Sequence, residues 1–332
     1  MSGWPDGVRL ERIAVNGVEL DVHSAGDPTN PTVLLCHGFP ELAYSWRHQM
    51  RPLADAGFHV VAPDQRGYGL SSAPNEVTAY GIEQLTGDLV GLLDHYGKDD
   101  AVFVGHDWGA LIVWDAARLH ASRVRAVMGV SVPFVAWPAP PTDLFKALYG
   151  DRFFYMLYFQ QVGPAERELD ADPRMTMSTV LYGASGVGFA QRDTTAEVPP
   201  MEGTGFLTMM PMVPPLPLPG PEGPWLTEFD LDVYAYGFTS SGFFGPVSYY
   251  RNLDANYAIM KDRGPEQVTM PSGFICGDAD PVRLMDTGGI ERMTATLPDF
   301  RGGTLIPGAG HWTQQESPAA FNTALLAFLA EL

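Results

Sequence analysis

An aspartate with a glycine two residues before it and another two residues after it constrains the fold of this chain more than any other feature. Gly105, Asp107 and Gly109 follow an apolar run at residues 101–104 and precede an apolar helical pattern. A strand that turns sharply into a helix needs small residues at those two positions, and the turn lifts the central side chain at the carboxyl edge of a sheet. The motif therefore predicts a parallel sheet with Asp107 at its carboxyl edge.

Short apolar runs, typical of strands that are buried on both faces of a parallel sheet, recur along the chain. They lie at residues 32–36, 59–62, 101–104 and 124–130, and the alternation of strand and helix returns later with predicted strands at 272–276 and 303–306. Helical patterns fall between them at residues 82–96 and from about residue 110, and a last one passes through Leu325, Leu326 and Leu329. Alternating segments around Asn16-Gly17, over residues 9–23, predict an antiparallel hairpin at the start. The order of elements predicts an α/β protein with a mostly parallel, doubly wound sheet.

The alternation of strand and helix stops between residues 133 and 255, where proline, methionine and aromatic residues are frequent. Helical pieces such as 142–162 remain, so we predict a mainly helical lid inserted into the core. The predicted division is a first core part at 1–132, the lid at 133–255 and a second core part at 256–332. Residues 198–225 contain too much proline for regular secondary structure, and their apolar content predicts a loop packed over an apolar pocket.

Charge and composition narrow the kinds of partner. The formal net charge of -19, with no offsetting Lys/Arg cluster, argues against nucleic acid and anionic membranes as partners. A secretory leader and a long apolar run are both missing, which predicts a cytoplasmic protein without membrane insertion. Cys36 and Cys276 fall inside predicted strands, so we expect inert core thiols. The scattered histidines have no metal-ligand spacing, and we expect no metal and no cofactor.

Asp107 is the predicted nucleophile. A carboxylate is ionised at neutral pH, so it needs no base, and it can attack an sp³ carbon to give an alkyl ester. The chemistry predicted is displacement at carbon, and a serine esterase is excluded if the turn is interpreted correctly. The alternative is that Asp107 only caps the helix that follows. The flanking glycines and the preceding strand favour the nucleophile.

A histidine and an acid on later loops complete a catalytic set. His311, in Gly308-Ala-Gly-His-Trp after the last predicted strand, is the expected general base. Asp280, after the preceding strand, is the expected carboxylate that holds the tautomer of the histidine. Asp278 lies on the same loop and stays open as the alternative. The chain order of nucleophile, acid and histidine is the order found in α/β-hydrolases.

The loop after residue 36 should lie beside Asp107. We expect the backbone N–H groups of Phe39 and Trp108 to form an oxyanion hole, and we expect Phe39, Trp108 and Pro40 to contact the substrate. His37 is interpreted as a structural residue of this turn. His106 is next to the nucleophile but should point away from it.

At these residues the sequence resembles the epoxide hydrolases of the α/β-hydrolase fold, close to the soluble type, over essentially its whole length. The motifs that carry the resemblance are His-Gly-Phe-Pro at 37–40, Asp-Gln-Arg-Gly-Tyr-Gly at 64–69, Gly-His-Asp-Trp-Gly at 105–109, Gly-x-x-Asp at 277–280 and Gly-His at 310–311. The resemblance implies that two lid tyrosines hydrogen-bond the epoxide oxygen. By local motif these are Tyr155 and Tyr250, whereas Tyr158 and Tyr249 become packing residues. The segment at 161–164 departs from the family pattern, so the resemblance does not predict the structure of that lid turn.

The resemblance implies conversion of a lipophilic epoxide and water to a vicinal diol through a hydroxyalkyl ester on Asp107. The sequence leaves the oligomeric state open between a monomer and a homodimer through the lid. A haloalkane dehalogenase is the nearest alternative, but such relatives typically carry Asn where Phe39 stands and lack the tyrosine pair. A fluoroacetate-type dehalogenase fits less well, because Trp108 stands where its relatives use Arg. A non-catalytic ligand-binding protein on the same scaffold would be expected to lose some catalytic groups.

Overall fold

The computed structural model of the chain describes residues 3–192 and 196–332, and its centre is an eight-stranded sheet. The strands are β1 Arg9–Val15, β2 Val18–Ala25, β3 Thr32–Cys36, β4 His59–Pro63, β5 Ala101–His106, β6 Val124–Val130, β7 Leu218–Gly220, β8 Gly223–Leu226, β9 Ser272–Gly277 and β10 Phe300–Ile306. The order in the main sheet is β1-β2-β4-β3-β5-β6-β9-β10, and β7 pairs with β8 alone. The strands from β4 to β10 in that order run parallel, whereas β1 and β2 are antiparallel additions at one edge. The predicted fold class is confirmed.

The helices lie between and over the strands. They are α1 Arg47–Asp55, α2 Ile82–His95, α3 Trp108–Leu119, α4 Pro141–Tyr149, α5 Tyr155–Tyr158, α6 Pro164–Leu169, α7 Pro173–Ala184, α8 Gly186–Ala190, α9 Glu228–Ser241, α10 Phe244–Arg251, α11 Leu253–Met260, α12 Pro281–Met285, α13 Gly289–Thr296, α14 Thr313–Glu316 and α15 Pro318–Leu329. Short 3₁₀ turns lie at Ala43–Trp46, Val77–Tyr80, Ala121–Arg123, Leu207–Met209 and Pro265–Gln267. No helix in the described part of the chain is long and apolar enough to cross a membrane.

The apolar strands are buried because helices cover both faces of the sheet. All five residues of β3 are buried. Val33 and Leu35 belong to one apolar cluster, which includes Phe321 of α15, whereas Leu34 belongs to a second cluster with Ile112 of α3. Successive side chains of a strand point to opposite faces, so a strand between two helical layers must be apolar throughout. This explains why unbroken apolar runs marked the strands.

The hairpin at the start has the predicted turn. Asn16 and Gly17 both have positive φ, 46° and 78°, and Val15 pairs with Val18 across a two-residue loop. Two consecutive positive φ angles are the conformation that an Asn-Gly pair favours. Both cysteines lie in buried strands and are unpaired, as expected.

The segment between β6 and β9 adds no strand to the main sheet within its described residues, and it is mainly helical. The predicted helical piece at 142–162 is divided into α4 and α5, because Gly150 has a φ of 58° and ends α4. The boundaries placed at 132 and 255 stay a prediction. The turn at 161–164 is well formed: Gly163 has a φ of 109°, and its N–H donates to Glu166 at 2.8 Å.

The prediction that residues 198–225 lack regular structure is wrong at their carboxyl end. There β7 and β8 form a two-stranded antiparallel ribbon. Both strands of such a ribbon are edge strands, where proline is tolerated because an N–H on the outer side needs no partner. The rest of the segment, apart from one 3₁₀ turn at Leu207–Met209, has no regular structure.

Candidate active site

Asp107 occupies the turn between β5 and α3 with a φ of 52° and a ψ of -116°. A methyl group on Gly105 would overlap the carbonyl of Gly109, and one on Gly109 would overlap the carbonyl of Cys36. Only glycine fits these two close approaches, which is the physical basis of the motif. The Asp107 side chain makes no helix-capping hydrogen bond. It faces Phe39 and His311 instead, so the geometry does not favour the capping alternative.

The carboxylate of Asp107 has a donor on one oxygen and an imidazole near the other. The Phe39 N–H donates to Oδ1 at 2.8 Å, and Nε2 of His311 lies 3.5 Å from Oδ2. In the described structure the Trp108 N–H, the second predicted oxyanion donor, makes no hydrogen bond to this carboxyl group. One of the two predicted donors is therefore in contact with Asp107.

The structure brings Asp280 rather than Asp278 to His311. Nδ1 of His311 lies 3.1 Å from Oδ1 and 3.2 Å from Oδ2 of Asp280, which is fully buried. Asp278 is exposed and accepts the Gly308 N–H at 2.7 Å. The difference arises because α12 begins directly after Asp280, which caps that helix by accepting the Val282 N–H at 2.8 Å.

Charge pairing outweighs burial at both members of this pair. Burial alone would raise the pKa of Asp280, but the charge and hydrogen bond of His311 hold that pKa below its ordinary value. Burial alone would lower the pKa of His311, but Asp280 and Asp107 raise it well above its ordinary value. An imidazole between two carboxylates can therefore take up a proton without leaving an uncompensated buried charge.

The backbone of His311 is fixed on both sides. Its N–H donates to the Ala184 carbonyl at 2.9 Å, and its carbonyl accepts from Ser131 Oγ at 3.1 Å and lies 2.7 Å from His106 Nε2. His106 is turned away from the substrate side, as expected, and its Nδ1 lies 2.5 Å from Glu41. Burial would raise the pKa of Glu41, but the charge of His106 lowers it to about 2.

Three residues of this scaffold were not predicted: Glu41, Glu316 and Ser131. Both glutamates are buried, and Glu316 accepts N–H groups on either side of His311. Ser131 has a φ of 66°, which is uncommon for a residue with a side chain. A glutamate in a turn ordinarily indicates a solvated position, so only the unusual proximity of Glu41 to the His-Gly-Phe-Pro motif could have indicated its role.

The two predicted lid tyrosines face the cavity above Asp107. Tyr155 begins α5, Tyr250 lies in α10, and their ring centres are 5.7 Å apart. Burial and then the charge of Asp107 raise the pKa of both phenols above the ordinary value, so both stay protonated at neutral pH. They are therefore hydrogen-bond donors toward any oxygen placed between them.

The neighbouring tyrosines are used differently. The hydroxyl of Tyr158 donates to Glu168 at 2.9 Å, and that of Tyr249 donates to the carbonyl of Arg66, also at 2.9 Å. Both hydroxyls are committed to other partners. The structure therefore distinguishes Tyr155 and Tyr250, which line the cavity, from the nearby Tyr158 and Tyr249, which are not among its described lining residues.

A cavity of about 410 Å³ lies between the sheet edge and the lid. Its walls are mainly apolar and aromatic. The polar side chains in the wall are those of Asp107, His311, Arg192 and the three tyrosines Tyr149, Tyr155 and Tyr250. The lining is Phe39, Asp107, Tyr149, Phe153, Phe154, Tyr155, Val180, Gly183, Ala184, Phe189, Arg192, Val198, Phe206, Met209, Met210, Tyr250, Pro281, Val282, Leu284, Met285, His311 and Trp312. Of the segment at 198–225, which was predicted to pack over an apolar pocket, Val198, Phe206, Met209 and Met210 line the cavity.

Of the three residues expected to contact substrate, the structure places one in this cavity. Phe39 lines it, whereas Trp108 and Pro40 are not among its described lining residues. The Trp108 ring instead packs against Tyr250, with ring centres 5.1 Å apart. Trp108 therefore supports a cavity residue from behind. His37 is structural as expected: it is buried, and its Nε2 accepts the Gln65 N–H at 3.0 Å.

Comparison with known proteins extends over nearly the whole chain. A family model described as the alpha/beta hydrolase fold matches residues 31–162. Epoxide hydrolase A of Mycobacterium tuberculosis is 46% identical over 98% of this chain and 99% of its own length. An epoxide hydrolase of Caballeronia sordidicola is 36% identical over 97% of this chain and 94% of its own.

Solved structures give the same result. The crystal structure of epoxide hydrolase A from Mycobacterium thermoresistibile has a TM-score of 0.88 and 45% identity, covering 97% of this chain and 98% of that one. An epoxide hydrolase from an endophytic Streptomyces has a TM-score of 0.88 and 34% identity, covering 98% and 96%.

Proposed function

Because this chain belongs to the epoxide hydrolases of the α/β-hydrolase fold, we propose that it converts a lipophilic epoxide to a vicinal diol through a covalent ester on Asp107. The observation that carries this proposal is the arrangement across the cavity. The carboxylate of Asp107 lines the cavity on the sheet side, and two protonated phenols line it on the lid side. A nucleophile and an electrophilic pair on opposite sides suit the opening of a three-membered ring.

In the first step an oxygen of Asp107 attacks one epoxide carbon and the bond from that carbon to the ring oxygen breaks. The ring oxygen develops negative charge, which Tyr155 and Tyr250 stabilise by hydrogen bonds before one of them passes a proton to it. Two preorganised donors stabilise the developing charge more than mobile water would. The product of this step is a hydroxyalkyl ester of Asp107.

In the second step His311 takes a proton from water, and the oxygen of that water attacks the carbonyl carbon of the ester. The Phe39 N–H, which donates to Oδ1 of Asp107 at 2.8 Å, is placed to stabilise the oxyanion. The acyl C–O bond then breaks, the leaving alkoxide takes the proton from His311 to give the diol, and the water oxygen stays on Asp107. The second proton of that water restores the phenol that donated its proton in the first step, so the enzyme returns to its starting state. Asp280 stabilises the imidazolium throughout this step.

The cavity wall supports a lipophilic substrate. Apart from the reacting groups, the wall consists largely of aromatic, aliphatic and thioether side chains. Burial of an apolar substituent against such a wall contributes about 25 cal/mol for each Å² removed from water. Size also fits, since about 410 Å³ falls within the range of cavities that bind small organic ligands.

The decisive experiment is intact mass of purified His311→Gln after incubation with a panel of lipophilic epoxides and, separately, with a panel of haloalkanes. We expect an added mass equal to the whole epoxide, located on Asp107 by peptide mapping. Asp107→Asn in the same background is the control and should gain nothing. An adduct that forms only with haloalkanes would assign the chain a dehalogenase reaction, and no adduct from either panel would contradict the covalent route.

A single turnover in ¹⁸O-labelled water tests the same route in the wild-type protein. If the ester is hydrolysed at the acyl carbon, the first diol carries an unlabelled oxygen from Asp107 and the label enters the carboxylate. Labelled diol in the first turnover would indicate direct attack of water on the epoxide instead.

A further inference from the structure

We propose that Glu316 is a positioning residue that joins the His311 loop to the lid turn at 184–186, so that hydrolysis of the ester depends on it. The inference rests on the proposed two-step route, because it concerns only the second step. Glu316 contacts neither Asp107 nor either cavity tyrosine in the described structure. Its effect would therefore pass through the position of His311.

The carboxylate of Glu316 accepts three backbone N–H groups from two separate parts of the chain. Oε2 accepts from Gly186 at 3.0 Å and from Gly310 at 3.1 Å, and Oε1 accepts from Trp312 at 3.1 Å. Gly310 and Trp312 flank His311, whereas Gly186 begins α8 in the lid. One side chain therefore holds both neighbours of the base and the lid segment above them.

Burial makes this arrangement costly. Glu316 is 1% exposed, and among the described residues no cation forms an ion pair with it. Burial raises the pKa of Glu316 to about 7 even though the three amides lower it. All three partners are donors, so only an acceptor side chain suits the site, and an ionised carboxylate supplies acceptors on both oxygens.

The two joined segments also touch directly through their backbones. The His311 N–H donates to the Ala184 carbonyl at 2.9 Å. A methyl group on Gly310 would overlap the backbone of residues 185 and 186, and one on Gly186 would lie 2.5 Å from the carbonyl of Gly308. Glycines on both sides permit this approach. Displacement of the lid turn would therefore displace the loop that carries the base.

Glu316→Gln tests the proposal because it keeps the shape and removes one acceptor. An amide nitrogen in place of one carboxylate oxygen would point N–H at N–H and break at least one of the three contacts. We expect the rate of ester hydrolysis to fall about 10- to 100-fold, the effect of a misplaced catalytic group. The rate of ester formation should stay at the wild-type value.

Rapid-quench mass spectrometry of the enzyme during turnover measures both rates. The wild type, Glu316→Gln and Glu222→Gln are compared with one epoxide from the panel. Glu222 is a matched control, because its exposed carboxylate also accepts two backbone amides, those of Ala319 and Ala320, at 2.8 and 2.9 Å. We expect the ester to accumulate only in Glu316→Gln.

The outcomes separate this inference from the proposed function. An ester that forms in His311→Gln but is hydrolysed at the wild-type rate in Glu316→Gln overturns the positioning role alone. Equal slowing of both steps in Glu316→Gln also overturns it, since a general structural defect has that signature. No ester in any variant would instead overturn the covalent route.

Amide hydrogen exchange of the wild-type protein keeps the proposal testable if Glu316→Gln does not fold. After correction for the intrinsic exchange rate of each amide, the N–H groups of Gly186, Gly310 and Trp312 should give one common opening free energy, because they share one acceptor side chain. An opening free energy for Gly186 that is unrelated to that of the other two would contradict a connection between the lid and the loop.

Discussion

The carboxyl edge of the sheet and the lid face each other across one cavity, but they place their side chains by different means. At the sheet edge the backbone geometry determines where the side chain lies. Asp107 has a φ of 52°, and the two glycines beside it permit close backbone approaches that no other residue allows. In the lid, Tyr155 and Tyr250 lie in short helices of ordinary conformation and are held by neighbouring rings.

The packing around Tyr250 shows this second means. Its ring lies 5.4 Å from that of Phe39, 5.1 Å from that of Trp108 and 5.1 Å from that of Phe159, between ring centres. Such contacts are individually weak and can be rearranged, whereas overlap of backbone atoms cannot. We therefore expect a small substitution at the sheet edge to cause a large loss of stability or activity, and a substitution in the lid to cause a smaller loss.

The largest effect is expected for Gly109→Ala at the sheet edge. The added methyl group would overlap the carbonyl of Cys36, and backbone atoms cannot move aside cheaply. We expect a loss of about 4 kcal/mol or more in the free energy of unfolding, or no folded protein. Urea unfolding measures it. Gly288→Ala is the control, because nothing lies within 4 Å of its added methyl group. Equal stability of both variants would contradict a rigid edge.

The next effect concerns the acid behind His311. Asp280→Asn removes the carboxylate that orients the imidazole, and we expect hydrolysis of the ester to slow about 10³- to 10⁴-fold. Asp278→Asn, which alters only the exposed contact to Gly308, should hydrolyse the ester at close to the wild-type rate. Single-turnover decay of the ester distinguishes them. A larger effect at Asp278 would reverse the assignment of the acid.

The lid should show a smaller effect on the other step. Tyr250→Phe removes one of the two proposed donors to the epoxide oxygen, so we expect ester formation to slow about 100-fold and hydrolysis of the ester to keep its wild-type rate. Tyr249→Phe is the matched control, since it loses only the bond to Arg66 and should cost about 1 kcal/mol of stability. Similar kinetics in the two variants would show that the lid assignment is shifted by one residue.

The smallest effect is a loss of unfolding free energy at acid pH, which we expect from a histidine of the sheet region and not from the lid. All eight histidines lie outside residues 133–255. Burial lowers the pKa of His37 from 6.5 to about 4, so as the pH falls between these values the unfolded state binds a proton that the folded state does not. Its contribution to stability is lost over that window.

Replacement of His37 should remove that contribution. Between about pH 7 and 5, the wild type should lose roughly 2 kcal/mol more unfolding free energy than His37→Asn, whose amide oxygen can still accept the Gln65 N–H. Urea unfolding at the two pH values measures the difference. Parallel losses in both proteins would mean that His37 is not the group that titrates.

Sequence patterns predicted the sheet and its edge well because their signals are local and strict. Strands buried on both faces must be apolar throughout, and the turn at Asp107 must have glycines at fixed positions. The sequence favoured Asp280 as the acid but could not exclude Asp278, because both residues follow the same strand. Only the start of α12 and the burial of Asp280 bring that side chain to His311.

The lid and the support of His311 were harder to predict. Tyr155 and Tyr250 could be identified only through the family motifs, because a lid that is rich in aromatic residues has many equivalent candidates. Glu41, Glu316 and Ser131 act through contacts between residues far apart in sequence, and no local period marks such contacts. The ribbon of β7 and β8 escaped prediction because proline is a poor guide at an edge strand.

Methionines in the cavity wall give the protein a further property. Met209, Met210 and Met285 line the cavity and are unbranched side chains that change rotamer at little energetic cost. Part of the cavity wall is therefore made of flexible thioether chains, beside the more rigid aromatic rings. Substitution of these three residues by branched ones would stiffen that part of the wall and leave the positions of Asp107 and His311 unchanged.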